Sequence, residues 1–216
     1  MLSTIINIVS VCVELFSTLL SAGATVFAAC VAIYGINAWR REFKGKRNIE
    51  LAEEVLELFY KARDAIQAIR SPIGYSHEGQ KIVKRLKEEG EKGDINLQMA
   101  TVLERYEVRE ETFQKLQTLR YRFMARLGTR FGKEKAVKPF NDLRDSVNSI
   151  FTAAKRIYYF QKREDLERET EKYQDKIRQY EADLEWGDDE KDRITSKVET
   201  AVREMEEMCQ EIIGVK

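Results

Sequence analysis

Residues 15–36 read LFSTLLSAGATVFAACVAIYGI, 22 consecutive residues without a charged side chain. Wound as a helix they reach about 33 Å, and the hydrocarbon core of a bilayer is ~30 Å thick. This run constrains the fold more than any other feature, because so long an apolar helix needs lipid around it. It predicts one transmembrane helix, spanning about residues 15–36 within a segment 1–39. A secretory signal peptide would carry cations ahead of its apolar core, whereas this chain begins MLSTIINIVS, with no charged side chain.

The cations follow the run. In AWRREFKGKR, Arg40, Arg41, Lys44, Lys46 and Arg47 face a single acid, Glu42. Basic residues stay preferentially on the cytoplasmic side, so the N-terminus is expected outside and everything after residue 39 inside. Trp39 is expected at the headgroup level. The cluster at 40–47 is read as a topology signal, with contact to anionic lipid as the alternative.

Inside the apolar segment, steps of four and three link Ser3, Asn7, Ser10, Glu14, Ser17 and Ser21 into one helical stripe. Glu14 is the only charged side chain among the first 39 residues. Three readings stay open: a solvated outer segment, a packing seam between copies, or the lining of a hydrated pore. Ala24, Ala28 and Ala32 add a small-residue face of the kind that lets membrane helices approach closely.

Two prolines and 11 glycines in 216 residues leave few places to stop a helix, which favours long helices over strands. The expected fold class is all-α, with one N-terminal transmembrane helix and then a cytoplasmic helical bundle ending in a coiled-coil-like helical hairpin. Within the domain 48–216, helices are expected at about 48–70, 95–131, 138–185 and 190–213, with a loop at 71–94. Asn48 is the candidate N-cap of the first, and Ser71-Pro72 ends it. Its apolar positions are Ala52, Val55, Leu56, Phe59, Ala62, Ile66 and Ile69.

The second helix carries Met99, Val102, Tyr106, Phe113, Leu116, Phe123 and Leu127 mostly on one side. The hairpin seam is read at Leu166, Thr170, Tyr173, Ile177, Tyr180 and Leu184, returning through Ile194, Val198, Ala201, Met205, Met208 and Ile212. WGDD at 186–189 supplies its turn and N-cap. Charge divides unevenly along the domain: 115–162 holds 12 basic and 3 acidic residues, 163–216 holds 10 and 18. The two blocks are expected to pair, within the fold or between subunits.

The stretch AWRREFKGKRNIELAEEVLELFYKARDAIQAIRSP, following an apolar helix, resembles a widespread group of small bacterial single-pass membrane proteins. The resemblance covers about residues 15–80. It implies a bacterial inner-membrane anchor and brings no activity or functional residue with it.

Catalytic chemistry finds no foothold. The single histidine, His77, has no recognisable partner, and Cys12, Cys30 and Cys209 fit neither a disulfide framework nor a metal site. GTRFGKEK falls short of a phosphate-binding loop, because three residues, not four, separate its glycines and Glu134 follows the lysine. Balanced charge gives no argument for nucleic acid, and the arginines of LRYRFMARLGTRF suit the exposed face of an amphipathic helix.

The expectation is a non-enzymatic membrane scaffold without cofactor or metal. Its partners would be the lipid bilayer, further copies of itself and a cytoplasmic protein. The alternative is an oligomeric channel or membrane-perturbing effector whose pore is lined by Ser10, Glu14 and Ser17.

Overall fold

The computed structural model describes residues 2–75, 77–90, 95–162, 171–185 and 192–214, with side chains described from Leu15 to Phe160 and from Gln174 onward within that set. Among the described residues there are seven helices and no strand: α1 (Leu2–Ile69), α2 (Gln80–Glu88), α3 (Leu97–Glu107), α4 (Glu110–Phe131), α5 (Lys133–Lys162), α6 (Glu171–Leu184) and α7 (Arg193–Ile213). The all-α class is therefore what the chain adopts. The chain divides into two compact units, Met1–Arg47 and Asn48–Lys216.

Helix α1 begins at Leu2 and not at Asn48, which lies inside it. No proline interrupts residues 2–69, so nothing in the chain forces a new helix to start there. In the second unit α1 buries Leu51, Ala52, Val55, Phe59, Ala62, Ile66 and Ile69, the spacing of one helical face. The segment 71–94 contains α2, whose N-cap Gly79 takes φ 80°.

The helix expected over 95–131 is two. Arg109 N donates to the Tyr106 carbonyl (2.8 Å), tightening the chain at Val108–Arg109, and α4 restarts at Glu110. Packing explains the break. Tyr106 and Phe113 stack with ring centroids 5.5 Å apart, and Tyr106 meets the edge of Phe151 at 4.6 Å. Between α4 and α5 stands Gly132 alone, at φ 83°, a conformation that L side chains rarely take.

The helix expected over 138–185 is also two. α5 starts earlier, at Lys133, and holds Pro139 inside it. Phe160 and Tyr180 lie with ring centroids 5.9 Å apart, although 20 residues of straight helix would separate them by about 30 Å. The chain thus turns back, and α6 packs on α5. The hairpin partner differs accordingly: α6 and α7 both have α5 as their main neighbour. Of the expected seam, Leu184 is buried and Ile177 and Tyr180 are half-buried, whereas Leu166, Thr170 and Tyr173 lie outside the residues whose side chains are described. WGDD also lies outside the described residues. The N-cap of α7 is Asp192, which accepts from the Ile194 and Thr195 amides.

Helix α5 is the centre of the second unit, in contact with α3, α4, α6 and α7. Phe140 on it meets Phe59 of α1 edge to face at 5.0 Å and Phe123 of α4 at 5.8 Å. All three rings are buried. The basic and acidic blocks pair within the unit, through Arg130 with Glu211 (3.0 Å) and Lys138 with Glu204 (2.8 Å). Both pairs are partly exposed, so each contributes at most about 1 kcal/mol.

Candidate functional site

In the first unit every side chain described from Leu15 to Ile36 is exposed, including Phe16, Leu19, Leu20, Phe27, Ile33 and Tyr34. Among the described residues this is one helix long and apolar enough to cross a membrane. A helix that is apolar all round and contacts no core is a poor fit to water. Ser17 and Ser21 of the stripe are exposed, and the Thr25 hydroxyl donates back to the Ser21 carbonyl at 2.8 Å. Ser3, Asn7, Ser10 and Glu14 share the helical backbone of α1, but their side chains lie outside those described. Ala24, Ala28 and Ala32 are exposed one turn apart.

Directly after the apolar run, three side chains form a ladder. Trp39 stacks on Phe43 with centroids 5.5 Å apart, and the Arg47 guanidinium lies 4.8 Å from the Phe43 centroid. The i, i+4 spacing puts them on one side of α1, one turn above another. Trp39 is 62% exposed and Phe43 44%. Arg40, Arg41, Lys44 and Lys46 are exposed as well.

The second unit contains two buried arginines that sequence reasoning missed. Arg70, 1% exposed, uses all five of its N–H donors. Nε donates to the Asp183 carbonyl, Nη2 to the carbonyls of Ala182 and Glu185, and Nη1 to Asp192 Oδ2 and Thr195 Oγ1, each at 2.9 Å. One guanidinium therefore caps the C-terminus of α6 and holds the N-cap residue of α7. A cation at a helix C-terminus also complements the helix dipole. Arg193 adds a two-pronged bond to the Asp183 carboxylate.

Arg105 on α3 does the same for the turn after α1. It donates to the carbonyls of Ser71 (2.6 Å) and Ile73 (2.7 Å) and pairs with Glu78 (2.6 Å). A cavity of about 410 Å³ opens here between Ile69, Pro72, Tyr75, Leu97, Thr101 and Arg105. Its one buried cation is already engaged by protein acceptors. His77 stands outside, stacked on Tyr75 at 5.9 Å. Among the described residues no group of His, Cys, Asp and Glu side chains could hold a metal ion.

The titratable groups here behave as structural groups. The Arg105 hydrogen bond holds the Glu78 carboxyl below its ordinary 4.5. For Asp192, burial pushes upward, but hydrogen bonds from Arg70 and Thr195 outweigh it and leave the carboxyl below 3.8. Depressed carboxylates stabilise the fold above their unfolded values, and that stability is lost as pH falls through the folded ones. Melting temperature should therefore stay level from neutral pH down to about 5 and fall below about 4.5. The Asp192→Asn variant should melt lower at neutral pH and show a shallower acid slope, as followed by circular dichroism. Cys209 is fully buried, and burial pushes its thiol up to about 12, so it is closed to thiol reagents in the folded protein.

The signal for Arg70 was present but weak: a cation beside Ile66 and Ile69, at the end of an apolar face. Its acceptors lie 112 to 125 residues away, where no local pattern reaches. Compared with known proteins, the chain matches no family model, no curated protein and no solved structure.

Proposed function

We propose that this chain is a membrane-anchored, non-enzymatic scaffold. The apolar helix crosses the bacterial inner membrane once, with the N-terminus outside and the helical domain 48–216 in the cytoplasm. The observation that carries this reading is the wholly exposed apolar face at 15–36, followed within four residues by a run of exposed cations. Self-association runs through the helix, with Ser17, Ser21, Ala24, Ala28 and Ala32 allowing close approach and the cytoplasmic helices presenting a surface to a soluble partner.

Sedimentation in detergent tests the assembly. The full-length protein should be an oligomer, and Ala28→Ile, which places a branched side chain on the small-residue face, should weaken it about tenfold. A monomer at every concentration would overturn self-association. Purified from its membrane, the protein should also carry a stoichiometric soluble partner. Ion flux through reconstituted oligomers, abolished by Glu14→Gln, would favour the pore reading instead.

A further inference from the structure

The cations after the apolar helix are distributed in a way that a topology signal does not require. At about 100° per residue, Arg40, Lys44 and Arg47 fall within ~60° of one another, Arg41 lies to one side, and Lys46 to the other. Together they cover an arc of about 220° around α1. Trp39 and Phe43 fall inside that arc, between Lys46 and Arg47. The remaining gap holds Glu42 and Gly45.

A helix that lies flat on a membrane segregates its apolar residues from its cations. This one interleaves them, which suits a helix passing upright through a headgroup layer. Among the described residues Arg40, Arg41, Lys44 and Lys46 have no acidic partner, and all four are exposed. Four cations held on fewer than two turns repel one another unless anions surround them. The aromatic ladder gives the collar its depth, since stacked Trp39 and Phe43 belong at the interface, where a ring can sit beside both chain and headgroup.

We infer that residues 39–47 form a collar that gathers a shell of anionic phospholipid headgroups around the helix, in contrast to a pocket for a single lipid. This rests on the membrane reading above and adds lipid selectivity to it. Lys and Arg side chains near an anionic surface are attracted to it additively, so several together are enough to bias the local lipid composition severalfold.

Trp39 itself is the probe. The full-length protein carrying Trp186→Phe is reconstituted in zwitterionic phosphatidylcholine vesicles that contain an equal minor fraction of brominated phosphatidylglycerol or of brominated phosphatidylcholine. Brominated chains quench indole fluorescence on contact. The inference predicts that the anionic lipid binds beside Trp39 about threefold or more over the zwitterionic one, with the ratio approaching one near 1 M salt, where the Debye length is ~3 Å.

Replacing Arg40, Arg41, Lys44 and Lys46 together with Gln should abolish the preference, and Glu42→Gln should raise it. Equal quenching by the two lipids would overturn the collar while leaving the membrane span intact. Quenching by neither would instead remove the membrane reading on which it rests. Added soluble glycerol phosphate should not compete, because a headgroup fixed in a bilayer is what the collar surrounds.

Discussion

Replacing Arg70 with alanine should destabilise the second unit by about 3–5 kcal/mol, a loss expected when one partner of a buried ion pair is removed. The side chain is 1% exposed and its partner Asp192 only 9%. Without the guanidinium, the carbonyls of Ala182, Asp183 and Glu185 and one carboxylate oxygen of Asp192 lose a donor inside the protein. Thermal melting of the detergent-solubilised protein should fall on the order of 10 °C. Lysine keeps the charge but has three donors and no planar fork, so Arg70→Lys should recover only part of the loss. The double variant Arg70→Met with Asp192→Asn should be less damaged than the sum of its parts, since it removes the buried charge together with its partner. Equal stability of Arg70→Ala and the parent protein would refute the role assigned to this clasp.

Phe59→Ala should cost a similar ~3–5 kcal/mol for a different reason, the cavity left by a ring in a close-packed core. Phe59 is fully buried, and its edge contact with Phe140 ties α1 to α5, the helix on which α3, α4, α6 and α7 pack. Urea unfolding should show a lower midpoint with little change in slope, the signature of lost stability without a change in the surface exposed. Phe59→Leu refills most of the space and should cost less than half as much, roughly 1.5 kcal/mol. The two variants separate volume from mere apolarity. Neither should release the protein from the membrane fraction, because the apolar helix is untouched.

Periodicity made the apolar face of α1 legible in the sequence: Ala52, Val55, Phe59, Ala62, Ile66 and Ile69 are all buried, and Leu56 is half-buried. On α7, Ile194, Val198, Ala201, Met205 and Met208 are buried as their spacing indicates, and Ile212 is half-buried. The breaks were harder to see. No Gly or Pro stands at Val108–Arg109, where the bend accompanies Tyr106 stacking on Phe113 and meeting the edge of Phe151. Nor does 163–170 contain either residue, so the α5–α6 reversal had no local mark; its evidence is Phe160 beside Tyr180. Tertiary contact overrides helix continuity at Val108–Arg109.

For the candidate site, composition carried the apolar run and its basic flank. Stacking of Trp39, Phe43 and Arg47 followed from a four-residue spacing that was visible but unread. The clasps of Arg70 and Arg105 were out of reach for a stronger reason. Each depends on carbonyls that become acceptors only when helices end beside them, and side-chain patterning does not encode backbone carbonyls.

The central claim is a single span with its N-terminus outside and its helical domain in the cytoplasm. Cys209 cannot report on it, since burial would protect that thiol on either side of the membrane. Cysteines introduced at Ser3 and at the exposed Lys81 can, in a chain whose Cys12 and Cys30 are replaced by alanine. Intact bacteria expressing each variant are treated with a membrane-impermeant maleimide. Ser3→Cys should be labelled in intact cells and Lys81→Cys only after lysis, both in protein that fractionates with the membrane. Labelling of Lys81→Cys in intact cells, or recovery of the chain in the soluble fraction, would contradict the account.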